Sequence, residues 1–363
     1  MTLHSLKIAL RSLWKYRFFS TINIIGLSLG IAACLLILMH VRTELSYDKF
    51  HDTPEEIYRV GMVAQVQDEL TSYPVIGYPW GDYLKELPQV QGVVRIFTPG
   101  NVFLEYKDER FEEENFFYAD STYISVFSLD FIAGTPATSL QGPNQVVITE
   151  PTAKKYFGNS DALGKIIQAE INGQQVDLQV SGVVKAYPKT SHFQFDFLAS
   201  MSTLVPLFGG PDAPIFQSPS FSSVYTYFRS QEPDAVETQL KAIYASKVSE
   251  ENKDFLKDMF LQPLVDIHLY SNLIAEIQPN GNGTFVYIFI GIAILILLIA
   301  CINFINLATA LAANRSKEVG MRKVLGAIKA QLVPQYLGES VIVTFISLVL
   351  AIGLAVLMRG VLA

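Results

Sequence analysis

At 363 residues, 50% of them hydrophobic and with a mean hydropathy of +0.30, the chain is too long and too apolar for one small soluble domain. Its formal net charge of −7 is unevenly placed: residues 44–283 carry 16 Lys/Arg against 32 Asp/Glu, and the remainder carries 11 against two. A large block with that acidic excess excludes nucleic acid as a partner, because phosphate binding needs clustered cations.

Residues 1–21 hold Lys7, Arg11, Lys15 and Arg17 with no acid. Leu3, Leu6, Leu10, Leu13, Trp14 and Phe18 recur at helical spacing, which predicts an amphipathic helix on the cytoplasmic membrane surface. Residues 22–42 follow as the first transmembrane span. The string Ile31-Ala32-Ala33-Cys34 superficially fits a lipoprotein cleavage box, yet LLILMHV follows Cys34. Cutting there would leave an apolar stump, so an uncleaved membrane anchor is expected. The basic residues ahead of the span place the N-terminus in the cytoplasm and the acidic block outside. Cys34 and Cys301 both fall inside predicted spans, so the block must rest on an ordinary core without disulfides.

The block, residues 43–283, shows mixed α+β patterning. Asn172-Gly173 between AEI and QQVDLQVSGVV predicts a hairpin turn. QVVITEPTAKKYFG predicts a strand running into a helix that opens at Glu150-Pro151 and stops at Gly158. Residues 238–258 read as an exposed helix, and residues 209–223 as a surface loop or mobile tip. Strand order is not legible.

Signs of catalysis are weak throughout this block. GNSDALGKI, residues 158–166, has five residues between its glycines and Ile166 after Lys165, so it lacks the spacing and hydroxyl of a phosphate loop. His4, His40, His51, His192 and His268 show no metal-ligand spacing, and the acidic runs at 54–56 and 108–114 read as solvated faces. Asn282-Gly283-Thr284 matches a glycosylation triplet but abuts a span.

Residues 284–308 form the second predicted span and 333–358 the third, each long enough to cross a hydrocarbon core of ~30 Å. Between them, residues 309–332 carry Arg315, Lys317, Arg322, Lys323 and Lys329 against Glu318 alone, which sets this link in the cytoplasm. Met321, Val324 or Leu325, Ile328 and Leu332 mark one helical face, and Glu318 precedes Arg322 by four residues, the favourable order for an ion pair. Charge alone is equally met by a plain basic loop. The helical order suits a cytoplasmic helix that docks a soluble partner.

The string RSKEVGMRKVLGA, residues 315–327, closely resembles the cytoplasmic signature of MacB/FtsX-like ABC transporter permeases, R-x-x-E-[IV]-G-x-[RK]-x-x-[LA]-G-A. The resemblance implies a coupling element that touches an ATPase subunit, formed by Arg315, Lys317, Glu318, Val319, Gly320, Arg322, Lys323 and Gly326. Four further strings resemble the periplasmic core domain of MacB-type permeases, in the flavour of Bacteroidetes-type bacteria. They are SYDKFHDTPEEIYRV, NQVVITEPTAKKYFGNSDALGKII, VSGVVKAYPKTSHFQFDFLASM and LVDIHLYS. The implied fold is a membrane protein with three transmembrane α-helices and a large α+β periplasmic domain inserted between the first and second. The FtsX-like permease domain, residues 284–363, lacks the family's fourth span, so the sequence looks like the N-terminal portion of a longer permease.

By this resemblance the protein is a multi-pass permease subunit of the bacterial inner membrane, itself without ATPase motif or cofactor. A separate cytoplasmic ABC ATPase would use ATP to drive periplasmic movement (mechanotransmission), for export or extraction of a peptide, a drug or toxin, or a lipoprotein. Expected partners are that ATPase, a second permease half or copy, the lipid bilayer, and a periplasmic adaptor or outer-membrane component. The alternatives are an FtsX-type regulatory permease that signals to cell-wall hydrolases, and a membrane receptor with a periplasmic sensor domain.

Overall fold

The computed structural model describes residues 11, 13–107, 109–171, 173–253, 255–314, 316, 320–321, 324 and 329–362. The chain divides into two units, residues 1–45 with 283–363, and residues 46–282.

The first unit contains three long apolar helices: α1 (Arg17–Glu44), and those we term α6 (Gly283–Asn314) and α7 (Lys329–Leu362). Each includes a stretch long and apolar enough to cross a membrane. Apolar side chains facing lipid gain nothing by meeting each other, so packing falls to small residues. Ser347, Ala351 and Ala355 recur every four residues along α7 and are buried; Ala293 and Ala300 are buried on α6. Opposite Ala300 stands Gly30 of α1, where an added Cβ would lie 2.5 Å from the Ala300 Cβ. The Ser347 hydroxyl donates to the Ile24 carbonyl at 3.3 Å, tying α7 to α1.

The second unit is built on a mixed sheet of fourteen strands among the described residues. In chain order they are β1 (Ile57–Val66), β2 (Glu69–Tyr73), β3 (Ile76–Gly77), β4 (Val93–Phe97), β5 (Val102–Tyr106), β6 (Glu109–Glu113) and β7 (Phe116–Ala119). Then come β8 (Phe131–Gly134), β9 (Gln145–Thr149), β10 (Ile166–Ile171), β11 (Gln174–Val184), β12 (Phe197–Ser200), β13 (Ser222–Arg229) and β14 (Leu256–Pro263). Their order is β14-β1-β13-β4-β7-β12-β9-β11-β10-β5-β6, with β2, β3 and β8 pairing beside β1, β13 and β11. The pairs β9–β11 and β7–β12 are parallel, and the other pairs are antiparallel. This order interleaves early and late strands, which is why it could not be read locally. Helices α2 (Pro79–Lys85), α3 (Glu150–Phe157), α4 (Pro233–Lys247) and α5 (Leu264–Tyr270) flank the sheet.

Several local expectations hold. β10 and β11 pair antiparallel with Ile171 opposite Gln174, and Gly173 takes φ +74°, as the tight turn requires. β9 runs directly into α3, which ends at Gly158 with φ +62° and its N–H on the Lys154 carbonyl.

Others need correction. The helix expected over 238–258 begins at Pro233 and ends at Lys247; from Leu256 the chain is strand β14, paired to β1. Val236 and Leu240 bury one face of α4, and the Lys/Glu-rich composition reflected only the other. The loop at 209–223 is no mobile tip. Ile215 and Phe216 are buried, Phe216 meets Tyr78 edge-to-face at 5.0 Å, and the Trp80 indole donates to the Pro219 carbonyl at 2.8 Å. Two apolar anchors and one hydrogen bond outweigh the Pro/Gly/Ser content. Within the acidic run, Glu113 is buried and accepts from Lys155 Nζ and the Tyr156 hydroxyl, both at 2.6 Å, rather than facing water.

Candidate functional site

The predicted coupling residues Arg315, Lys317, Glu318, Val319, Arg322, Lys323 and Gly326 lie outside the described residues. Gly320 is described, together with Ser316, Met321 and Val324; all four are helical and exposed. Met321 is 64% exposed and Val324 89%, and a Cβ built on Gly320 would meet nothing within 4 Å. Apolar side chains standing free beside an open glycine make a surface that another backbone can approach closely.

Within the same unit, Ser20, Asn23, Thr309, Glu339 and Ser340 line a cavity of about 360 Å³ with Phe19, Phe304 and Val343. Polar groups on membrane helices turn toward one another because lipid offers them no hydrogen bonds.

In the second unit, polar chemistry concentrates where the chain adjoins the spans in sequence. Asp48 has φ +58°, a left-handed conformation that aspartate tolerates, and its N–H donates to the Thr190 carbonyl at 2.8 Å. Its carboxylate accepts from the Ser191 hydroxyl at 3.1 Å and the His192 backbone N–H at 3.1 Å, and meets His192 Nδ1 at 3.0 Å. A carboxylate only accepts, so Nδ1 carries the proton on that side. His192 Nε2 then meets the Tyr227 hydroxyl at 2.8 Å. Burial alone would raise the Asp48 carboxyl; the charge and hydrogen bonds of His192 outweigh it and hold it below its ordinary value. Beside it, burial pushes the His51 imidazole down to about 4.

At the other end, Glu276 clamps Arg59 with both carboxylate oxygens, at 2.6 and 2.7 Å. Gln262 Oε1 accepts from the same guanidinium at 2.6 Å, and the Ser271 hydroxyl donates to Glu276. Burial raises the Glu276 carboxyl, but the Arg59 hydrogen bonds and charge leave it below the usual range. Tyr47 stacks flat on His268, with ring centroids 3.3 Å apart.

Three of the strings that carry the family resemblance therefore meet in space. Tyr47, Asp48 and Arg59 come from the first, Ser191 and His192 from the third, His268 and Ser271 from the fourth. Spacing along the chain offers no hint of this, because Asp48 and His192 are 144 residues apart. These clusters hold no set of three or more His, Cys, Asp or Glu suited to a metal among the described residues.

Residues 20–243 match the family model of the MacB-like periplasmic core domain, and residues 290–363 that of the FtsX-like permease C-terminal domain. The chain belongs to the MacB/FtsX-type ABC transporter permeases. The permease is 23% identical over 372 residues to the uncharacterized ABC transporter permease YknZ of Bacillus subtilis strain 168, covering 97% of this chain and 85% of that one. A domain of a putative permease from Porphyromonas gingivalis shares its fold at TM-score 0.51 and 19% identity, over 59% of this chain and 91% of that one. The periplasmic region of MacB from Actinobacillus actinomycetemcomitans is also similar, at TM-score 0.41 and 16% identity, over 64% and 95% of the two chains. The permease is a membrane protein with an extracytoplasmic domain between its first and second apolar helices, and its family works with an ATPase partner.

Proposed function

We propose that the permease transmits force across the bacterial inner membrane rather than conducting a solute through a pore. A separate cytoplasmic ABC ATPase grips the segment at residues 315–328, and ATP-driven closure of two such ATPase subunits moves the spans. The spans in turn move the periplasmic domain, which exports or extracts a peptide, a lipophilic drug or toxin, or a lipoprotein. The N-terminus lies in the cytoplasm. Two permease halves or copies serve two ATPases, with a periplasmic adaptor or outer-membrane component as a further partner. ATP chemistry belongs to the partner, and this chain supplies neither a catalytic residue nor a cofactor site.

The observation that carries the proposal is the open helical surface at Gly320, flanked by exposed Met321 and Val324 within the family's signature string. The sparse charge of the spans supports it, since ion pathways through membranes are lined by ionisable residues.

The test is co-purification of the ATPase with full-length permease, wild type against Glu318→Arg and Gly320→Trp. Because a Cβ added at Gly320 meets nothing within 4 Å, the position is open, and the tryptophan should block a partner without disturbing the permease itself. Recovery with wild type and loss with both variants, at equal membrane insertion, supports coupling. Recovery that ignores both changes reduces the segment to a basic loop.

A further inference from the structure

The two polar clusters described above form one path. Asp48 lies three residues beyond Leu45, where the first unit breaks off, and Glu276 lies seven residues before Gly283, where it resumes. From Asp48 the path runs through His192 to the Tyr227 hydroxyl, at 3.0 and 2.8 Å. Tyr227 on β13 stands directly opposite Arg59 on β1, both without solvent exposure, and the guanidinium's charge acts on its hydroxyl. Arg59 then holds Glu276. A parallel tie runs from the neighbouring strand position, where the Tyr225 hydroxyl donates to the Ala275 carbonyl at 2.8 Å. Both exits of the domain are thus fastened to the same strand pair.

Phe127, Phe193 and Tyr123 enclose the middle of this path and keep water out. Apolar contacts can slide by fractions of an ångström at little cost. A buried hydrogen bond cannot, because a group left without its partner loses more than the bond was worth. Two such hydrogen-bonded clusters, joined by the buried cross-strand neighbours Tyr227 and Arg59, therefore have few intermediate states and behave as a stiff link.

We propose that Asp48–His192–Tyr227–Arg59–Glu276 is a buried polar strut that couples the two exits of the periplasmic domain, so that displacement of one is felt at the other. Its use in force transmission rests on the function proposed above. Its existence does not, and the test needs no ATPase.

Hydrogen exchange by mass spectrometry on the full chain in nanodiscs reads the coupling directly. Asp48→Asn should speed exchange by about fivefold or more at residues 272–280 as well as at 46–52, the size expected for one lost hydrogen bond. Adding Tyr227→Phe, which keeps the ring in the core but cuts the path, should confine the Asp48→Asn effect to 46–52. Tyr227→Phe alone should loosen both exits while residues 145–149 and 197–200 stay protected, a readout that survives if Asp48→Asn fails to fold. An Asp48→Asn effect confined to 46–52 with Tyr227 present would overturn the strut. So would a distant effect that persists in the Tyr227→Phe background, or a Tyr227→Phe effect on one exit alone. ATPase binding that persists in Gly320→Trp, with the exchange pattern intact, would count against the proposed function and leave the strut standing.

Discussion

The Arg59 guanidinium has no solvent exposure and is gripped by both carboxylate oxygens of Glu276, 217 residues away in the chain. Bidentate geometry, with Gln262 Oε1 as a further acceptor for the guanidinium, is what makes a buried ion pair tolerable, since each ion has given up its water. Breaking it from one side is costly. Glu276→Ala should destabilise the periplasmic domain by about 3–5 kcal/mol, while the double change Arg59→Met with Glu276→Leu should lie within about 2 kcal/mol of wild type. Trp80, buried in this domain, reports its urea unfolding once Trp14 is replaced by Phe.

His51 gives the domain an acid sensitivity whose sign follows from its environment. It sits among Phe50, Phe127 and Tyr187, with Asp48, Asp52, His192 and Arg229 as the charged and titratable groups around it. Burial lowers it to about 4, whereas the unfolded chain has the ordinary value of about 6.5. Above pH 6.5 neither state binds the proton and His51 contributes nothing to pH dependence. Between 6.5 and 4 the unfolded chain takes a proton that the folded domain refuses. Stability should fall by about 1.4 kcal/mol per unit, about 3 kcal/mol in all, then level off. Asp48, held below its ordinary value, adds a further loss only as pH drops through its own lower range. His51→Phe should flatten the first slope at the cost of the Ser128 N–H bond to Nδ1, about 1 kcal/mol at neutral pH. Urea midpoints at pH 7, 5.5 and 4.5 measure it.

Gly30 lets the first two apolar helices approach. An added Cβ falls 2.5 Å from that of Ala300, closer than real side chains ever sit. Gly30→Val should therefore cost about 1–3 kcal/mol of bundle stability, seen as earlier loss of the monodisperse peak on heating in detergent. Ala300→Gly in the same chain should recover part of it. No recovery would mean that the contact is not what sets the helix separation.

Much of the architecture was open to sequence reading because its signals are local. Three apolar runs, the turn at Gly173 and the stop at Gly158 each depend on a few adjacent residues. The sheet order and the polar path were closed to it for the opposite reason. Asp48 and Arg59, His192, Tyr227 and Glu276 come from four separate stretches of chain, and none has a spacing that announces its partner. In space, Ser191 and His192 of the third resemblance string and Ser271 of the fourth bind the domain's exits. Composition misled at residues 209–223, where Ile215 and Phe216 decide the packing against many small polar neighbours. The coupling string was legible as a motif, and of its assigned residues only Gly320 falls among those described.

The most direct test of force transmission is hydrogen exchange on the periplasmic domain of the nanodisc-embedded permease bound to its ATPase, with and without a non-hydrolysable ATP analogue. Exchange at residues 46–52 and 272–280 should change together when nucleotide binds, and should stop responding in Gly320→Trp. An ATPase that binds and hydrolyses ATP on the permease while periplasmic exchange stays the same would contradict the account.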